Sequence, residues 1–166
     1  MCVKDRVMEL LQSADTAPLE RYAVEEPRAV RFLLGRLWDP DPEIRRRAAT
    51  GIGAAAAEHE PLGRDVVRRL VWALNDEAAT NGVYALAAIG EIGARNPDLI
   101  GPFIGPVSCY AWDDGLRPEI IRAMTRIAET APHLVAPFID EIKQRVDPDD
   151  ASQVALMEDL ALKVGQ

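Results

Sequence analysis

The feature that most restricts this chain is a phrase that keeps coming back. An apolar run closes on an acidic turn in "GRLWDPD", "RRLVWALND", "CYAWDDG" and "KQRVDPDD", so Asp39, Asp76, Asp113 and Asp147 mark one place in a unit that recurs at intervals of 37, 37 and 34 residues. The segments "NPDLIGPFIG" (Asn96 to Gly105) and "APHLVAPFID" (Ala131 to Asp140) share Pro, Leu, Pro, Phe and Ile at the same offsets. "EPRAVRFLLG" and "EPLGRDVVRRL" repeat the proline and the apolar stretch more loosely. A period in this range means that each unit is one supersecondary piece, which buries its apolar face only against its neighbours.

Each unit reads as two helices. A first apolar segment ends at the Asp mark, and a second begins a few residues later with a start signal. In "DPDPEIRRRAATGIGAAAAE", Asp41 is placed to accept hydrogen bonds from unpaired amides as an N-cap, and Pro42 fits the first turn, where no amide is missed. The second segments carry apolar residues at spacings of three and four: Ile44, Ala48, Ile52 and Ala55; Val83, Leu86, Ile89 and Ile92; Ile120, Met124 and Ile127; then, less regularly, Val154, Met157, Leu160 and Leu162. That period is helical. Apolar residues are 48% of the chain and aromatics only 5%, with alanine prominent, which favours close helix-on-helix packing over a β-sandwich. The expected class is all-α, and 166 residues make one domain.

"DPDPEIRRRAATGIGAAA" and "GVYALAAIGEIG" resemble the second helix of the HEAT-repeat family, in the short bacterial form also found in the HEAT-like repeats of phycobilin lyases. The resemblance covers roughly residues 27 to 166. It implies a right-handed α-α superhelix, a solenoid of about four helix pairs at 27–61, 62–96, 97–131 and 132–166, preceded by a short N-terminal cap at 1–26. Two departures stand out: the turn "NDEAATNG" lacks the proline, and Pro106 is expected to delay or kink the first helix of the third unit. In this frame Trp38, Trp72 and Trp112 end first helices and are expected to cover the joins between helix pairs. A base-stacking use of them, as in DNA-glycosylase members of the wider superfamily, needs a basic groove.

Charge argues against that use. Acidic residues outnumber Lys and Arg by 27 to 19, and the formal charge of −8 repels nucleic-acid phosphate and anionic lipid. No window approaches the roughly 18 apolar residues of a membrane span. Cys2 and Cys109 form no CxxC pair, which points to a reducing compartment, and the expected location is cytoplasmic. Catalytic constellations are thin. His59 reads as a solvated helix end, His133 as a variable surface position, and Cys109 as a small packed side chain. The acidic clusters lack EF-hand spacing and the glycines lack a phosphate-loop context. No enzyme activity, cofactor or metal is expected.

What remains is a surface. The resemblance implies that second helices line a concave face that holds partners. Aligning Ile52, Ile89 and Ile127 gives one column of Arg47, Tyr84 and Arg122, beside Ala48, Ala85 and Ala123, and a neighbouring column of Ala54, Glu91 and Glu129. Arg and Tyr combine apolar area with directed hydrogen bonds and are favoured at interface hot spots. The expected function is therefore a non-catalytic protein-binding scaffold or adaptor, whose partner is a protein or peptide carrying both charges. The alternative is a pigment-handling, lyase-like or assembly factor, as the phycobilin-lyase likeness implies. Weak self-association through the amphipathic C-terminal helix "ASQVALMEDLALKVGQ" is a further expectation.

Overall fold

The computed structural model describes residues 1–75 and 80–165. Asp76, and with it the proline-free part of its turn to Ala79, lies outside the described residues. The described chain is all-helical: α1 (Val3–Leu10), α2 (Ala17–Glu25), α3 (Ala29–Arg36), α4 (Pro42–Glu58), α5 (Glu60–Ala73), α6 (Thr80–Arg95), α7 (Pro97–Cys109), a 3-10 turn (Tyr110–Trp112), α8 (Arg117–Ala128), α9 (Pro132–Val135), a second 3-10 turn (Ala136–Phe138), α10 (Ile139–Lys143) and α11 (Ala151–Val164). None of these helices is long and apolar enough to cross a membrane.

The even-numbered helices α2, α4, α6 and α8, followed by α11, form a row in which each packs on the next. The helices between them pack against this row from one side, α3 on α4, α5 on both α4 and α6, and α7 on α6. The core runs between them. Ile44, Ala48, Ile52 and Ala55 of α4, Leu86, Ile89 and Ile92 of α6, and Ile120, Met124 and Ile127 of α8 are all buried. Leu162 departs from the expected stripe and is exposed. It stands two residues after Leu160, half a turn out of register, while Val164 takes the packed position.

At its three described positions the recurring aspartate is a turn residue. The Oδ1 atoms of Asp39, Asp113 and Asp147 accept hydrogen bonds from the amides of Asp41, Gly115 and Asp149, at 3.0, 2.8 and 2.9 Å. Each closes an Asx turn two residues on, the local bond that makes Asp a turn former. Asp41 then caps α4 through the Glu43 amide at 2.8 Å, and Asp150 caps α11 through the amides of Ser152 and Gln153.

A polar staple recurs at the opposite ends of the pairs. His59 Nε2 lies 2.7 Å from the Val24 carbonyl, Asn96 Nδ2 donates to the Ala57 carbonyl at 3.2 Å, and Thr130 Oγ1 donates to the Ala94 carbonyl at 2.9 Å. Each ties a residue one or two places beyond an even-numbered helix to a C-terminal carbonyl of the preceding one, satisfying an acceptor the helix leaves open. His59 is thus half-buried and engaged across the stack, whereas the sequence pointed to a solvated helix end. His133 is exposed, as a surface position should be.

Three other expectations are corrected. α7 runs unbroken through Pro102 and Pro106, both of which face outward, so the carbonyls they leave unpaired meet water. The matching segment of the last unit is the one that breaks, into α9, a 3-10 turn containing Pro137, and α10. Cys109 is exposed at the end of α7, not packed. The tryptophans do not cover joins: Trp38 is 41% exposed, Trp72 79% and Trp112 62%.

Candidate functional site

Across the outward side of α4, α6 and α8 lies a groove of about 410 Å³. Its floor is made of small residues, Ala49, Ala87, Gly90 and Ala123, because helices that stack this closely leave no room for larger side chains at the seam. A Cβ at Gly90 would come 3.1 Å from the Cα of Ala123 on α8. Charged side chains rise on both sides: Arg45 and Arg46 from α4, Glu91 from α6, and Glu119, Arg122 and Arg126 from α8, with Tyr84 between the two arginine groups.

Tyr84, Glu91 and Arg122 therefore share one groove. Arg47 and Glu129 do not line it. Arg47 turns toward α2, where Nη1 donates to the Leu11 carbonyl at 2.9 Å, and its side chain is only 14% exposed. Tyr84 meets Arg45 of α4 across the groove, whereas the Arg47 side chain is taken up by the α1–α2 turn, which covers it. Glu129 caps the end of α8 and pairs with Arg126.

Arg45 and Arg126, which the column does not contain, stand in their place. The Arg45 guanidinium lies over the Tyr84 ring, 4.6 Å from its centroid, and Arg45 Nη1 donates to the carbonyls of Asp39 and Pro40 at 2.7 and 3.1 Å. The ring attracts the cation and the carbonyls orient it. Arg126 Nε donates to Glu91 Oε1 at 2.9 Å, and this bond holds the Arg126 pKa above its ordinary value. Glu91 also accepts from Arg95 at 2.6 Å, and Arg95 reaches Glu20 on α2 at 2.9 Å. One chain of ion pairs thus runs from α2 across to α8. The signal for it was available: Arg126 follows Glu91 by 35 residues, one unit, and Arg95 follows it by four.

On the rims, Arg46 Nη2 donates to Glu43 at 2.8 Å, and Arg122 pairs with Glu119. The Arg46 bond lowers the Glu43 pKa, and Glu43 raises that of Arg46. Four arginines line the groove against two glutamates, so this patch is locally basic in an acidic protein.

No family profile matches the chain, and no curated protein does. Among solved structures, the chain is similar to the crystal structure of an engineered protein determined by the Northeast Structural Genomics Consortium, at 17% identity and a TM-score of 0.54, over 99% of this chain and 80% of that one. The likeness at this identity concerns the fold alone.

Proposed function

We propose that this protein is a non-catalytic binding module of HEAT type, in which the stacked pairs make a right-handed superhelix and the α4–α6–α8 groove is its concave, partner-holding face. The observation that supports this reading is the groove's composition: a small-residue floor with a rim of directed arginine and glutamate side chains around a half-buried tyrosine. Such a floor admits close approach of a backbone or helix, and the rim supplies orientation. The partner is another protein or peptide in the cytoplasm, bearing both charges with carboxylates in excess, since the rim has more cations than anions. Self-association through α11, where Leu162 is 75% exposed, is a subsidiary proposal.

The test is retention of partners from a lysate of the source cells by the wild type and by an Arg46→Ala/Tyr84→Ala/Arg122→Ala variant of unchanged helical content. An Arg64→Ala variant on α5 serves as control. A protein kept by wild type and control and lost by the triple variant supports the groove. Equal recovery by all three rejects it, and an absorbance change on adding a tetrapyrrole would then favour the pigment-handling alternative.

A further inference from the structure

Counted from their N-caps, Asp41 and Asp150, α4 and α11 bury the same inner positions. Ile44 and Gln153 stand three residues after the cap, Ala48 and Met157 seven, and all four are buried. The two helices differ on the side that looks along the row. Twelve residues after the cap, α4 has Gly53, whose backbone meets Glu91 of α6, while α11 has Leu162, which is 75% exposed. Eight residues after it, α4 has the buried Ala49, while α11 has the exposed Glu158. Among the described residues α11 packs on α8 and α9, so the side that α4 gives to α6 is open on α11.

That side carries a knob and a hole together. Between α10 and α11 runs a groove of about 320 Å³ whose walls are mostly apolar, with Val146 and Pro148 from the turn before α11 and Val154, Met157 and Ala161 from α11 itself. Leu162 follows Glu158, which also lines the groove, by about one helical turn, and helical side chains lean toward the N-terminus, so Leu162 leans over the same groove. An exposed leucine beside an open apolar groove is the pattern of an interaction surface, not of a capped end.

Charge decides what covers it. Lys143 of α10 and Glu158 of α11 are both exposed and stand one on each helix that flanks the groove. A second copy, given a half-rotation about the long axis of the groove, lays its α11 over this α10. That brings each Leu162 over the groove of the other copy and each Glu158 to Lys143 of the other copy, the self-complementary match a two-fold interface requires. The far end of the row offers no such match: the exposed strip of α2 is Ala17, Arg21 and Glu25, which would set charges against Leu162 in a head-to-tail stack.

We propose that the α10–α11 face is a two-fold homodimer interface in which Leu162 and the groove of each copy interlock and Lys143 and Glu158 set the register. The inference rests on the reading of α11 as a self-associating surface and is independent of the α4–α6–α8 groove.

Sedimentation equilibrium of the full chain is expected to show monomer and dimer with no larger species, because a two-fold interface closes on itself. Leu162→Ala, at a site exposed in the monomer, should weaken the dimer by about tenfold or more at unchanged helical content. Glu158→Lys and Lys143→Glu should each weaken it at low salt. An equimolar mixture of these two variants should recover the dimer, since every pair across the mixed interface is again of unlike sign. A wild type that stays monomeric at every concentration overturns both the pairing and the self-association reading. Assembly beyond the dimer, a dimer indifferent to Leu162→Ala, or a mixture no better than its components overturns the pairing alone and leaves self-association in another geometry. Were Leu162→Ala to lose its helical spectrum, the mixture decides.

Discussion

Glu91 of α6 sits directly over Gly53 of α4: a Cβ placed on Gly53 would lie 2.7 Å from the Glu91 Cβ and 3.0 Å from its carbonyl carbon. The two longest helices therefore meet backbone to backbone at the point where Glu91 turns to take Arg126 and Arg95. Gly53→Ala is expected to destabilise the protein by about 1–3 kcal/mol through overpacking, even though alanine is about 1 kcal/mol better in a helix. Gly35→Ala in α3 meets nothing within 4 Å and should instead stabilise by about 0.5–1 kcal/mol. Urea titrations of the two variants check the opposite signs.

Removing the charge of Glu91 leaves Arg126 with Glu129 alone and Arg95 with Glu20 alone. Its side chain is 19% exposed, so Glu91→Gln is expected to cost roughly 1–2 kcal/mol at low salt, less at high salt. Thermal unfolding at two ionic strengths measures both.

The staple residues His59, Asn96 and Thr130 each fill a carbonyl of the preceding even-numbered helix. His59→Ala, Asn96→Ala and Thr130→Val are each expected to lose about 1 kcal/mol, the usual net value of one hydrogen bond. The three sites lie at successive junctions with no shared partner, so the losses should add in the triple variant.

Backbone and side-chain hydrogen bonds from Gln153 hold Asp150 below the ordinary Asp pKa, and the Arg46 hydrogen bond does the same for Glu43. A depressed folded-state pKa contributes stability that is complete above the unfolded-state value and is lost as pH falls through the folded one. Stability should therefore fall below about pH 4, where carboxylates titrate, and Asp150→Ala should flatten part of that fall. Melting temperatures between pH 7 and pH 3 for the wild type and the variant check it.

Helix type and position were legible because apolar period, cap and turn chemistry agree in each unit: Asp41, Pro42 and the Ile44–Ala48–Ile52 stripe all say the same thing. The side-chain directions were less so. Arg47, Tyr84 and Arg122 are equivalent in sequence, but only the structure shows that the α1–α2 turn covers the first of them. The tryptophans were misread because an apolar residue at a helix end fits a buried join as readily as an exposed edge, and periodicity ends where the turn begins. Proline at 106 looked like a break because sequence alone does not show that its face of α7 is solvated. Arg126 escaped notice because its partner Glu91 lies one full unit away.

The central claim is that the α4–α6–α8 groove holds another protein, and Ala87, exposed on its floor, reports on that most directly. Replacing Ala87 with the photo-cross-linker benzoylphenylalanine and irradiating cells that make the protein should yield a discrete heavier adduct. The same replacement at the exposed Arg68 on α5 should not. An adduct specific to position 87 whose second component is another protein is the predicted result. No adduct from position 87, or the same adducts from both positions, would contradict the claim.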